Sequence, residues 1–368
     1  AKSIPAKKYG IQTGEPMGMA LQKCPDLVCV PSDFALYDRC SKAFKSICAS
    51  YAPVMESFSI DEVFLDMTGT GQIYPDPVAT ACEIKDRIYR ELGFTVNVGI
   101  STNKLLAKMA SDFEKPNKVH TLYPEEVPQK MWPLPVRDLL FLGKASEKKL
   151  VQNGIRTIGD LARANEKEIQ MLLGEKAGHQ LYLSANGIDD SPVKAQREEA
   201  KGISVETTFD EDIVSYEQIF PILLSQCDIV AARMRREGKK CNCVAVSFRT
   251  LEFKNKSHQR KLDNPTDVTN EIYQNVRQLF QESWSGQPLR LIGVALTGLT
   301  EDDFIQMSLF EDPKKREQQK KLDEAMDNIR KKFGNDKISR ASTMNVSGRI
   351  ARKAKAQMEN GRKKNDEQ

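Results

Sequence analysis

Residues 57–69 read SFSIDEVFLDMTG. Their aromatic and β-branched residues favour a strand, yet Asp61 and Glu62 stand side by side in the middle. Side chains alternate faces along a strand, so adjacent acids in a regular buried strand would drive one carboxylate into a core. A turn removes the conflict: SFSI runs in, VFLDM runs out, and the two acids sit at the tip of a hairpin. Carboxylates crowded at such a tip repel, which raises a pKa or recruits a cation. Hard oxygen ligands without a nearby histidine suit Mg²⁺. Mg²⁺ held by one or two carboxylates keeps positions open for phosphate oxygens, which points to phosphoryl or nucleotidyl transfer. An acidic turn is also an ordinary way to join two strands, so its surroundings must decide.

The following residues supply them. DPVATACEIKDRIYRELG predicts a helix capped by Asp76, with Pro77 in its first turn and Gly93 at its exit. Ala81, Ile84, Ile88 and Leu92 form its apolar stripe. FTVNVGIS alternates as a half-buried strand, and TNKLLAKMASDF returns to helix before Pro116. That order predicts an α/β layer on one sheet. Lys115 follows the second helix and Lys7 precedes a Gly turn, positions from which lysines can clamp a triphosphate as point charges.

Trp132 to Ile188 read as short helices. LLFLGKASEKKLVQNG within them has the cadence of a helix-hairpin-helix, with the turn at Gly143 and Lys144 opening the second helix. Such turns offer backbone N–H groups to a DNA phosphate, although an ordinary helical pair has the same pattern. SPVKAQREEAKG reads as a linker. Beyond it, ISVETTF, CNCVAVSFRTLEF and PLRLIGVALTGLT predict strands, separated by two helices, of a compact α+β unit. After Thr300 an apolar plug gives way to a highly charged helix, and the last eighteen residues lack a core pattern.

At 368 residues the chain has room for two or three domains. Its net charge of +4 says little, but Arg233 to Lys261 holds ten Lys or Arg against two Asp or Glu. That local excess, which includes Arg249, Lys254 and Lys256, suits nucleic-acid phosphates as well as a solvated face. Eight cysteines without a C-x-x-C pair, and three histidines, disfavour zinc and fit reduced thiols. No apolar run reaches the ~18 residues of a membrane span, and the N-terminus lacks a signal-peptide core, so a cytoplasmic location without membrane partners is expected.

SIDEVFLDMTG, VGISTNKLLAKMASDFEKPN and the opening AKKYGI…GEP together resemble the Y-family, translesion-type DNA polymerases, in collinear order from residue 1 to about Thr300. The AKKYG form is closer to the polymerase V branch than to the polymerase IV branch. The resemblance implies an α+β multidomain right hand. Its expected parts are small fingers (1–32, partial), a ferredoxin-like palm (33–124) and a helical thumb (125–190). A linker (191–200), an α+β little finger (201–300) and a clamp-binding peptide with a charged tail (301–368) follow.

Residue by residue, Asp61 matches the metal-binding Asp of the palm and Glu62 the neighbouring catalytic acid, a second metal ligand. Lys115 and Lys7 match the basic residues on the triphosphate. Gly143 and Lys144 match the thumb hairpin on the DNA backbone. Arg249, Lys254 and Lys256 belong to the basic run of the little finger, whose sheet lies in the major groove. Gln306, Leu309 and Phe310, in QMSLF, resemble the Q-x-x-L-F peptide that docks on the sliding clamp. Implied with them are two Mg²⁺ ions, primer–template DNA, deoxynucleoside triphosphates, the clamp and accessory subunits of the SOS response.

Two departures stand out. Family members carry a first strand with a further metal-binding Asp and an aromatic steric gate, and neither is found in this sequence. Ile4 and Lys7 also stand where many members have Tyr and Arg. The expectation is that this chain alone extends no primer. A non-catalytic adaptor that binds DNA and clamp is the alternative, and a nucleotide cyclase on a similar palm a weaker one.

Overall fold

The computed structural model describes residues 2–195, 199–301, 313–335 and 337–344. The first helices, α1 (Ile4–Lys8) and α2 (Met17–Lys23), close on a small core of Ala6, Ile11 and Ala20. α3 (Phe34–Ala49) leads into β1 (Val54–Ser57) and β2 (Val63–Asp66), an antiparallel pair whose last register match is Ser57 with Val63. The predicted hairpin is therefore present, with residues 58–62 as its turn.

α4 (Pro77–Leu92) ends as its sequence dictates. The Asp76 carboxylate accepts the N–H groups of Val78 and Ala79, and Gly93 leaves the helix at φ +72°. Ile84 and Ile88 meet Phe44, Ile47 and Tyr51 in a core against which Met55, Val63 and Leu65 of the hairpin pack.

The strand predicted over FTVNVGIS is shorter than its alternation suggests. Only β3 (Val98–Ile100) is laddered, in parallel with β4 (Val119–Thr121). Phe94 and Val96 pack instead on the core under α3 and α4. The expected single sheet is thus two separate two-stranded ones among the described residues.

α5 (Lys104–Ser111) presses directly on β3: a Cβ at Gly99 would lie 1.9 Å from the Ala107 carbonyl oxygen. Its Leu105, Leu106, Met109 and Ala110 belong to the core of the following helices. Those are α6 (Val127–Lys130), α7 (Lys144–Gln152), α8 (Ile158–Arg163), α9 (Glu166–Leu173) and α10 (Glu175–Ala185). One helix therefore couples the hairpin layer to the helical unit.

The predicted linker begins pinned rather than loose. The Asp189 carboxylate accepts the Leu105 N–H at 3.0 Å, and Glu56 accepts the Lys194 N–H at 2.9 Å.

The next unit is a four-stranded antiparallel sheet, β5 (Gly202–Ile213), β6 (Lys240–Thr250), β7 (Asn255–Thr266) and β8 (Leu289–Thr300), in the order β5-β8-β6-β7. α11 (Tyr216–Arg236) and α12 (Thr269–Ser283) cover one face. β7 escaped the sequence reading because NKSHQRKLDNPT has almost no apolar residue to alternate. As an edge strand it buries little and tolerates Pro265.

α13 (Pro313–Phe333), the highly charged helix expected after Thr300, is docked on this unit through charge. Arg330 binds Asp228 at 2.5 Å, Arg235 binds Asp327 at 2.7 Å, and Arg340 reaches both Asp228 and Asp323. The Asp323 carboxylate also accepts the first N–H of α12, from Thr269, at 2.8 Å. The side chains of Asp323 and Arg330 are only 3% and 7% exposed, so the run of charges in this helix hides a buried network.

All eight cysteines are free thiols. Burial pushes Cys48 up to about 11 and Cys241 up to about 12, so neither is a ready nucleophile near neutral pH. Among the described residues no helix is long and apolar enough to cross a membrane.

Candidate active site

The hairpin turn is built to be rigid and to face outward. The backbone N–H groups of Phe58 and Ser59 both donate to the Glu62 carbonyl. From α3, the Lys45 ammonium donates to the Ser59 carbonyl at 2.6 Å and to the Ser57 hydroxyl at 2.7 Å, and the Ser41 hydroxyl donates to the Ile60 carbonyl. Ser59 then links the acids, donating to Asp61 at 2.6 Å with Glu62 at 3.3 Å. Asp61 is exposed and Glu62 half-buried. The acids therefore share one tip, as the sequence suggested.

The cation that the tip recruits is a lysine the sequence reading passed over. Lys108 Nζ lies 2.7 Å from Glu62 and 2.8 Å from Asp112, and Asp112 in turn lies 2.5 Å from Lys115. Burial by itself would lower the Lys108 ammonium, but Asp112 and Glu62 hold it above the usual lysine range. Burial likewise pushes the Asp112 carboxyl up, and Lys108 and Lys115 more than reverse that.

One turn earlier on α5, Lys104 binds Glu56 of β1 at 2.8 Å and lies over the Phe64 ring. Lysines four residues apart on one helix thus grip the hairpin, Lys104 at its arms and Lys108 at its turn. The spacing of Lys104 and Lys108 was visible in the sequence. Their partners were not, because no local pattern says which strand a helix will cross.

Lys115 is therefore connected to the acidic tip through Asp112 and Lys108. Lys7 is not: it is exposed on α1, and its ammonium forms no hydrogen bond or ion pair among the described residues. Gly143 and Lys144 are exposed at the start of α7, where no side chain caps the helix. The preceding Phe141, at φ +66°, is 77% exposed and meets Phe58 of the hairpin turn edge-on.

The basic run does not form one surface. Arg235 enters the buried network beneath α13, and Lys239 pairs with Glu199. Strand alternation separates the others. Arg249 lies on the face away from the helices, while Lys256 pairs in register with buried Phe248 on the helix-side face, as Arg260 does by binding Glu282 of α12. Lys254 is in the β6–β7 turn. Small side chains keep the open face low, and Gly293 is needed there: a Cβ would lie 2.6 Å from Glu206 and 2.8 Å from the Ser247 hydroxyl. Gln306, Leu309 and Phe310 lie outside the described residues.

Comparison with known proteins follows the same division. Residues 1–112 match the impB/mucB/samB family, residues 137–189 a DNA polymerase-iota thumb domain, and residues 200–309 the impB/mucB/samB family C-terminal domain. DNA polymerase IV of Clostridium acetobutylicum is 42% identical over 341 residues, covering 93% of this chain and 85% of that protein. The chain belongs to the Y-family DNA polymerases. These are DNA-directed, metal-dependent enzymes of translesion synthesis.

DNA polymerase IV of Acetivibrio thermocellus is 37% identical across 95% of this chain and 88% of that relative. DNA polymerase IV 2 of Bacillus subtilis is 35% identical across 95% and 86%. These relatives carry the polymerase IV name, so the likeness of AKKYG to the polymerase V branch gains no support from them. A solved Y-family DNA polymerase chimera of Dbh and Dpo4 superposes with a TM-score of 0.71 at 23% identity. It covers 81% of this chain and 86% of its own, and shows the fold. The right-hand α+β architecture inferred from the sequence is the one observed.

Proposed function

We propose that this chain carries out template-directed nucleotidyl transfer past damaged template positions, with Asp61 and Glu62 as the acids of its site. The observation that carries the reading is the rigid acidic tip, joined through Lys108 and Asp112 to Lys115. The assigned parts are fingers (1–32), palm (33–124), thumb (125–190), linker (191–200), little finger (201–300), and clamp peptide with tail (301–368).

The donor set suits Mg²⁺: both ligands are carboxylates, and Asp61 is exposed and makes no ion pair among the described residues. Bound there, Mg²⁺ would neutralise triphosphate charge and favour in-line attack. Asp61 and Glu62 would hold it, and Lys115 and Lys7 would bind phosphate oxygens. Gly143 and Lys144 would offer the uncapped start of α7 to a backbone phosphate. Arg249, Lys254 and the low sheet face would meet the duplex without reading its sequence, with binding that weakens steeply in salt. Lys256 would reach phosphate only from the sheet edge. Gln306, Leu309 and Phe310 would dock on a sliding clamp, with SOS subunits as further partners in the cytoplasm.

Two carboxylates fall short of a set that bridges two metal ions. Among the described residues no three His, Cys, Asp or Glu side chains group as a metal site. A third carboxylate besides Asp61 and Glu62 would complete such a set. The test is primer extension across an abasic site with Mg²⁺ and deoxynucleotides. It compares residues 1–368 with the same residues preceded by a strand bearing one more carboxylate. Only the longer protein should extend. Extension by residues 1–368 alone overturns the missing ligand, and binding of DNA without extension by both favours the adaptor.

A further inference from the structure

We propose that Lys108 is a positioning residue for both the acidic tip and the triphosphate lysine, an inference that rests on the polymerase reading above. The geometry is a chain of alternating charge: Glu62, Lys108, Asp112, Lys115, with contacts of 2.7, 2.8 and 2.5 Å. Lys108 is its least exposed member, its side chain 14% accessible, while Lys115 at 60% is the most open. The inner end of the chain is fixed. α5 is seated on β3 where Gly99 leaves no room for a Cβ, and its Leu105, Leu106 and Met109 are buried in the next core.

A fixed inner ammonium and an open outer one behave differently when a triphosphate arrives. Lys115 can exchange the Asp112 carboxylate for a phosphate oxygen, because Asp112 still has Lys108 as its counter-charge. Without Lys108, Asp112 would have Lys115 as its one ion-pair partner among the described residues and would compete with the phosphate for it. Glu62 would at the same time lose the contact that fixes its carboxylate at the tip. Lys108 thus has two separable effects: nucleotide affinity through Asp112, and the reacting geometry through Glu62. Nothing in this requires Lys108 to touch substrate.

The test uses the extending form of the polymerase with Lys108→Met, alone and combined with Asp112→Asn. Lys108→Met should raise the KM for the incoming nucleotide about tenfold and lower kcat about tenfold, as expected for groups misplaced near a reacting centre. The double variant should recover the KM, because a neutral Asn holds the Lys115 ammonium far more weakly than a carboxylate does, and keep the low kcat. Dissociation constants for dTTP on complexes with a dideoxy-terminated primer should follow the same pattern without turnover.

A merely structural lysine predicts a fall in thermal stability and no recovery in the double variant. Unchanged constants in Lys108→Met, or no recovery of affinity, overturn the proposal. A wild-type enzyme that binds dTTP on that complex yet inserts nothing on a normal primer contradicts the polymerase reading, while the binding constants still decide the role of Lys108. Absence of dTTP binding by the wild type overturns both.

Discussion

Replacing Asp61 by Asn in the extending polymerase should lower the rate of single-nucleotide insertion by about a thousandfold or more, the scale of losing a preorganised charge that acts on the reacting phosphate. The change is nearly isosteric, so the turn should survive: Ser59, Lys45 and Ser41 hold it through backbone carbonyls that the substitution leaves alone. Primer–template affinity should be unchanged, because the proposed backbone contacts lie on α7 and on the β5–β8 sheet. Single-turnover insertion beside a DNA-binding titration checks both halves. An enzyme that lost DNA binding and insertion together would place Asp61 in the structure of the tip rather than in its chemistry.

The second large effect belongs to a residue far from any substrate. Asp323→Ala should destabilise the unit of residues 201–344 by about 3–5 kcal/mol, the cost of removing one partner from a buried ion pair. Three groups lose a partner at once: the Arg235 and Arg340 guanidinium groups and the Thr269 N–H that opens α12. Denaturant unfolding followed by tryptophan fluorescence suits the measurement, since Trp284 stacks on Phe280 at the end of α12. A change within about 0.5 kcal/mol, the range of ordinary surface substitutions, would mean that α13 docks without help from this network.

These expectations also mark how far the residues alone could be read. Asp76, Pro77 and Gly93 bounded α4 because caps act within a few residues of themselves. The hairpin followed from one local conflict, two acids in an apolar strand. β7 was missed because an edge strand need not alternate, and FTVN lost its strand because its apolar side chains serve a core rather than a ladder. Arg249 and Lys256 looked like one basic patch until register placed them on opposite faces. The clearest gap is Lys108. Its two partners, Glu62 and Asp112, come from a turn forty-six residues earlier and from the end of its own helix, and only packing brings the first to it. α13 read only as a highly charged helix for the same reason, since charge in a sequence does not reveal that its complement lies on α11.

The central claim is that the 58–62 turn presents a metal site to the nucleotide, and Mn²⁺ serves as a probe for it. Mn²⁺ bound to the extending polymerase with dideoxy-terminated primer–template and dTTP is counted by electron paramagnetic resonance, for the wild type and for Asp61→Asn. The wild type should bind Mn²⁺ in excess of that held by free dTTP, and Asp61→Asn should lose that excess while still binding DNA. Equal Mn²⁺ occupancy and affinity in the two proteins would contradict the account.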